Sequence, residues 1–289
     1  MTHNNLNYTK QCLESIIRIT QYHPFELIVV DANSTDGTLE YLHSKPEVRL
    51  VCLEKNYPYS YSINRGIEAA KGEFLCIMNN DTMIVQPEWL TILIECAKSD
   101  ARIGIVGPRL CRQHLNNSTR GDEWQCARYI MPDGKHINIW ASNDTVTPCT
   151  YVVGACFLLK SELIGRVGLW DEGFFFAYDD VDYCLRTWKA GKRVVWNTRS
   201  TVVHMGKQTR KSVTDKDYEY NIHDFEDPEK RFYRKHSSKD FEKILRQAKG
   251  PFHFYLWKIQ KRTSKALDLV RRGHKEYAEV AVVPRTQVK

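Results

Sequence analysis

An α/β fold with a mostly parallel sheet is what this 289-residue sequence predicts, and three observations predict it. Short apolar runs alternate with segments whose apolar residues recur at helical spacing. The first and third strand runs end at Asp31 and Asn79, residue types that favour turns at strand ends. The helical stretches between strands have the length of a right-handed crossover, about ten residues or more.

In chain order, residues 7–20 place Leu13, Ile16, Ile17 and Thr20 on one helical face. Residues 25–30 form a buried strand that stops at Asp31, and Asn33-Ser34-Thr35-Asp36-Gly37-Thr38 is turn and helix-start chemistry before a short helix on Leu39 and Leu42. A second strand covers 48–53. A helix over 62–70 carries Ile63, Ile67 and Ala70 and stops near Gly72. The third strand, 74–78, runs into Asn79-Asn80-Asp81, and Pro87 opens a helix with Leu90, Leu93, Ile94 and Ala97 inward. Residues 111–148 are polar and irregular, and are read as long loops with a hairpin. A buried strand returns at 151–159. Val181, Cys184, Leu185 and Trp188 mark a helix that Gly191 ends, and two short strands follow at 194–196 and 201–204. Beyond them the chain is charged and helical in tendency.

A 42% hydrophobic and 27% charged composition excludes a disordered, collagen-like or coiled-coil chain. No run approaches the roughly 18–20 apolar residues that cross a bilayer. The polar start, Met1-Thr2-His3-Asn4-Asn5, has no signal-peptide pattern, so a cytoplasmic location is expected. The nine cysteines are odd in number, spread out and without a C-x-x-C pair, which predicts reduced buried thiols. Charge is uneven: residues 205–289 hold 21 Lys and Arg against 12 Asp and Glu, while the first 204 hold 21 against 23. The excess positive charge thus belongs to the C-terminal third, as in a basic appendage that meets an anionic surface.

Ligands of open α/β sheets bind beyond the carboxyl ends of the strands. Asp31 and Asp81 stand there, each able to accept from a ribose or base, to hold a divalent cation, or simply to cap a turn. Asp179, Asp180 and Asp182 open the 181–188 helix after an aromatic run. One carboxylate suffices for capping, so one of the three is a candidate general base. His204, at a strand end, is either structural or a metal ligand near Asp81.

These blocks carry a resemblance. Val29-Val30-Asp31-Ala32-Asn33-Ser34-Thr35-Asp36-Gly37-Thr38 resembles the V-V-D-x-x-S-x-D-G-T signature of family 2 glycosyltransferases of the GT-A fold. Asn56 with Asn64-Arg65-Gly66 and Ala70-Lys71-Gly72-Glu73, Asn79-Asn80-Asp81 in place of a D-x-D motif, Gly154-Ala155-Cys156-Phe157-Leu158, the Phe175–Arg186 stretch and Val203-His204-Met205-Gly206 follow in the family's order. The likeness covers residues 1–206 and is nearest to the rhamnosyltransferase-like branch, which builds surface polysaccharide.

The resemblance implies a catalytic domain over 1–206 and a basic helical extension over 207–289. It implies a nucleotide-diphospho-sugar donor, with Thr2, His3, Asn4 and Asp31 at the base, Asn56 and Arg65 beside it, and Asn79 and Asn80 near the ribose. Asp81 and His204 would hold Mg²⁺ or Mn²⁺. Asp180 would be the general base, supported by Asp179 and Asp182. The reaction would be inverting, on a glycan or lipid-linked acceptor, with specificity in residues 111–150. The runner-up is a degenerate GT-A domain that binds nucleotide or glycan without turnover. No nucleic-acid motif is present. The aromatic and basic residues of 246–289, such as Trp257 beside Lys258, would suit either a helix packed on the catalytic domain with a solvated basic face or an anionic membrane at the inner face. One departure stands out: the family has a central strand before the block at Thr2, and here Met1 directly precedes Thr2, so that strand has no counterpart and sheet edges should lie open.

Overall fold

The computed structural model describes residues 1–111, 127–140, 144–175, 177–206 and 225–249. Its early half follows the predicted alternation. Helix α1 (Leu6–Ile19) buries Cys12, Leu13 and Ile16, and Thr20 behind it accepts from the Trp89 indole at 3.0 Å. Strand β1 (Leu27–Asp31), helix α2 (Thr38–His43) and strand β2 (Val48–Cys52) follow, with β1 and β2 parallel in register from Leu27–Val48 to Asp31–Cys52. Helix α3 (Tyr59–Ala69) crosses back to β3 (Phe74–Met78), the short β4 (Thr82–Ile84) and α4 (Trp89–Ser99).

Strand β5 (Ile103–Cys111) is nearly all buried and was not anticipated. Then come β6 (Ala127–Ile130), β7 (His136–Asn138), β8 (Val146–Pro148), β9 (Tyr151–Val152) and β10 (Cys156–Lys160). Helices α5 (Glu162–Val167) and α6 (Asp179–Lys189), the long β11 (Arg193–His204), and helices α7 (Pro228–Lys235) and α8 (Ser238–Lys249) complete the described chain.

The main sheet has the order β3-β10-β5-β11-β4, with β8 added alongside β11. It is mixed, which corrects the expected mostly parallel sheet. Only β5–β11 and, in the separate pair, β1–β2 run parallel; β10 is antiparallel to β3 and β5, and β11 to β4 and β8. The reason lies in residues 127–152, where strands of a small second sheet take the place of a crossover helix and β10 enters from the opposite end. That second sheet, β7-β6-β9, gives the region read as loops a defined framework. Met131-Pro132-Asp133-Gly134 makes its tight turn, with Gly134 at φ 80°. The predicted strand over 151–159 is split between β9 and β10, whereas the two predicted final strands are one strand with a register shift between Asn197 and Thr201.

The core runs through both sheets. Trp170 stacks on Tyr183 with ring centroids 3.6 Å apart, and Phe232, Phe241, Ile244 and Leu245 of α7 and α8 join the same apolar cluster. Helices α7 and α8 of the basic extension are therefore packed on the rest of the described chain through an apolar face. The eight described cysteines are free thiols, in keeping with the reduced state expected; Cys126 lies outside the described residues.

Between β1 and β3 the structure has a cavity of about 660 Å³. It is bordered by β1 on one side and β3 on the other, so the two-stranded and six-stranded sheets are not joined. Thr2 enters at one end, where its N–H donates to the Val30 carbonyl at 2.8 Å and its carbonyl accepts from Ala32 N–H at 2.8 Å.

Candidate active site

The end of β1 and the loop after it form the first wall. Asp31, almost wholly buried, accepts from the Ser34 N–H at 2.9 Å and the Ser34 hydroxyl at 2.5 Å. Ser34 in turn accepts from Asn4 N–H at 2.7 Å, the Asn4 side-chain oxygen accepts from Thr35 N–H at 2.8 Å, and His3 Nδ1 lies 2.7 Å from the Ala32 carbonyl. Thr2, His3, Asn4 and Asp31 thus stand together on one polar, tightly bonded loop pair. Asn80 donates to both Thr2 and Thr9 hydroxyls at 3.1 Å, which fixes the loop after β3 to the same wall. Asn56 is buried ahead of α3. Arg65 is engaged on the surface of α3, 2.7 Å from Glu68 and 3.7 Å from Glu172, and stacks over Tyr61.

Asp81 and His204 meet because β4 and β11 pair antiparallel, with His204 opposite Thr82. His204 Nε2 stands 3.3 Å from Asp81 Oδ1, both side chains are nearly buried, and Met205 N–H donates to the Asp81 carbonyl. A carboxylate oxygen and an imidazole nitrogen at that spacing fit neighbouring positions on one Mn²⁺ or Mg²⁺ ion. Among the described residues no third His, Cys, Asp or Glu joins them, so the remaining positions would fall to water or to a phosphate-bearing ligand.

Asp179 and Asp180 begin α6 behind Tyr178, whose left-handed backbone (φ 66°) turns the chain into the helix. Asp180 accepts from Gly154 N–H at 2.7 Å and from Val181 N–H at 2.8 Å. Gly154 is required at this contact: a Cβ there would lie 2.9 Å from the Asp180 Cβ. Burial pushes the Asp180 carboxyl above the usual carboxylate range, against the pull of those two N–H groups and of Arg128. Asp179 is raised too, by burial first and then by the Asp180 charge. Two neighbouring acids pushed up in this way make a proton acceptor that works nearer neutral pH than a free carboxylate.

Asp182, one turn along, points elsewhere. It is fully buried and accepts from Arg186 and His236 while pairing with Lys235, at 2.7–2.8 Å. Burial alone would raise it, but these partners bring it down to about 2. Its carboxylate ties α6 to α7.

Several residues that sequence reading did not single out complete the site. The Tyr59 hydroxyl donates to the Asn79 side-chain oxygen at 2.7 Å and lies 3.4 Å from the Gly154 carbonyl, so it bridges the loop carrying Asp81 and the loop gripped by Asp180. Burial and then the charges of Asp179, Asp180 and Asp81 hold its hydroxyl protonated, well above the usual phenol range. On the small sheet, Tyr151 takes a hydrogen bond from Arg128 at 3.1 Å and lies 2.8 Å from His136 Nδ1, while His136 meets Tyr178 edge-on. The Pro132-Asp133-Gly134 turn was a signal for that hairpin; nothing local signals Tyr59.

A family model described as "Glycosyl transferase family 2" matches residues 1–165. The O-antigen biosynthesis protein RfbC of Myxococcus xanthus is 28% identical over 222 residues, which are 71% of this chain and 17% of that protein. N-acetylglucosaminyl-diphospho-decaprenol L-rhamnosyltransferase of Mycobacterium tuberculosis is 27% identical, over 63% of this chain and 66% of that protein. The chain therefore matches under a fifth of RfbC and about two thirds of the rhamnosyltransferase. Among solved structures, GalNAc-T7 with UDP, GalNAc and Mn²⁺ superposes with a TM-score of 0.59 at 14% identity, covering 97% of this chain and 52% of that one. The mannosyltransferase PcManGT of Pyrobaculum calidifontis, with GDP-Man and Mn²⁺, gives 0.52 at 17% identity, covering 97% and 81%. The fold is accordingly GT-A.

Proposed function

Because this chain belongs to glycosyl transferase family 2, we propose that it is an inverting, divalent-cation-dependent glycosyltransferase of surface polysaccharide synthesis. It would move a hexose from a nucleotide-diphosphate donor to a hydroxyl of a glycan or lipid-linked acceptor. The observation that carries this reading is the bridge from Asn79 through Tyr59 to Gly154 and Asp180, which ties the loop that carries Asp81, His204's neighbour, to the loop that Asp180 holds.

In this reading the Asp31 wall holds the nucleoside and orients the donor. Asp81 and His204 would hold Mg²⁺ or Mn²⁺, which would supply positive charge to offset that of the departing diphosphate. Asp180 takes the proton of the acceptor hydroxyl as its oxygen bonds to the anomeric carbon; the carbon–phosphate-oxygen bond breaks and its electron pair leaves with the diphosphate. A single in-line displacement inverts the centre, so one base suffices. Asp179 supports that base, and Asp182 holds α6 in place. Residues 1–206 are the catalytic domain and 207–289 an extension whose α7 and α8 brace α6. Of residues 246–289, to which anionic-membrane contact is ascribed, 246–249 end α8 and 250–289 lie outside the described residues; among those described no helix is long and apolar enough to cross a membrane.

The test is a screen of UDP-, GDP- and dTDP-sugars with Mn²⁺ and glycan or lipid-linked acceptors. The proposal expects nucleoside diphosphate to be released only when acceptor is present, with the product's anomeric proton showing inversion by NMR. Donor binding by calorimetry with no release under any acceptor would favour the non-catalytic reading.

A further inference from the structure

The second sheet, β7-β6-β9, turns one face of side chains to a common cluster. Tyr151 of β9 stands opposite Arg128 of β6, and His136 of β7 stands opposite Ile130, two positions on from Arg128. Residues two apart on a strand share a face, so Arg128, His136 and Tyr151 meet there, while Tyr129 on the other face donates to the Pro148 carbonyl. Arg128 donates to the Tyr151 hydroxyl at 3.1 Å, with its guanidinium 6.0 Å from the centre of that ring. Burial and then the Arg128 charge lower His136, so it is neutral, and the Tyr151 O–H donates to its Nδ1 at 2.8 Å.

Both ends of this network reach the start of α6. Gly154, two residues past β9, donates its N–H to Asp180, and His136 meets Tyr178, the residue before Asp179, edge-on. The titratable groups around the Asp179–Asp180 pair are Arg128 on β6, Tyr151 on β9, Tyr59 on α3, and Asp182 and Cys184 along α6. Burial keeps both phenols and the thiol protonated, so of these groups Arg128 alone is positive. Two adjoining carboxyls out of water tend to retain a proton, and a protonated acid cannot take one from an acceptor hydroxyl.

We propose that Arg128, seated by Tyr151 and His136, is the positioning residue of Asp180: its guanidinium supplies the counter-charge that, with the Gly154 N–H, holds Asp180 as a carboxylate. The role of that carboxylate as the base rests on the function proposed above; the counter-charge does not. The second sheet is then part of the reaction's machinery as well as a framework.

The test reads the Asp180 carboxyl by ¹³C NMR titration of the full chain without donor, its resonance assigned by its loss in Asp180→Asn. Arg128→Gln should raise the midpoint by about one pH unit or more, and Arg128→Lys, which keeps the charge, by less than half as much. In turnover assays of Arg128→Gln the acidic limb of kcat should move up with the midpoint, with the donor KM unchanged. A residue that only braces the sheet would lower Tm and leave the midpoint where it is. An unmoved midpoint in Arg128→Gln therefore overturns the proposal; if that variant does not fold, an unmoved midpoint in Tyr151→Phe, which releases the guanidinium, overturns it equally. A midpoint that moves while the kcat limb stays supports the counter-charge and removes Asp180 as the base.

Discussion

At the scale of single residues, the site separates three aspartates that look equivalent in the sequence. Asp180 lies against Gly154, Asp179 beside it, and Asp182 faces α7. Asp180→Asn should cut kcat by about 10²–10⁴-fold while leaving donor affinity intact, because an amide cannot take the acceptor's proton. Asp182→Asn should act mainly on stability. Retained turnover in Asp180→Asn with loss in Asp179→Asn would move the base by one residue. The raised carboxyls also set the pH dependence: the base must be deprotonated, so kcat should fall on acidification starting above the ordinary carboxylate range. Asp81→Ala should abolish Mn²⁺-dependent donor binding in calorimetry and His204→Ala should weaken it less, since a carboxylate binds a hard cation more strongly than neutral imidazole does. Donor binding unaffected by EDTA in the unmutated chain would remove the cation from the mechanism.

Between elements, two contacts position α6. At its first turn, the Gly154 backbone lies against Asp180, and Gly154→Ala would put a methyl 2.9 Å from the Asp180 Cβ. The helix start must shift, so turnover should drop by about 10²-fold while Tm changes little. Along its buried face, Asp182 pairs with Lys235 and His236 of the α7 segment, and Asp171 with Arg231 and Lys235. Removing one partner leaves buried charge, so Asp182→Ala should cost about 3–5 kcal/mol in urea unfolding. The folded value of Asp182, about 2, lies below that of an unfolded aspartate, about 3.9. Its contribution is therefore complete above about pH 5 and lost as pH falls towards 2. The Asp182→Asn chain should show a shallower decline of Tm across that window than the unmutated chain.

On the scale of the whole molecule, charge and apolar surface are segregated. Residues 205–289 carry the net positive charge, yet α7 and α8 turn Phe232, Phe241 and Leu245 into the common core. The basic residues from 250 on lie outside the described residues. Sedimentation with vesicles should show binding that rises with anionic lipid, weakens with salt and is lost on truncation at Gly250; equal recovery in the supernatant with neutral and anionic vesicles at low salt would end the membrane assignment.

The sequence by itself determined the α/β alternation, the family, and the local grouping of Asp31 with Ser34 and of Asp179 with Asp180, because helical and strand periods and turn residues act over a few positions. Tertiary structure alone decided the direction of β10, the second sheet that carries Arg128, His136 and Tyr151, the meeting of Asp81 with His204 across 123 positions, and the turn of Asp182 towards α7. Each of these depends on which strands pair and which helix packs behind them. Pairing is chosen by burial summed over distant segments, so no local pattern in the chain records it.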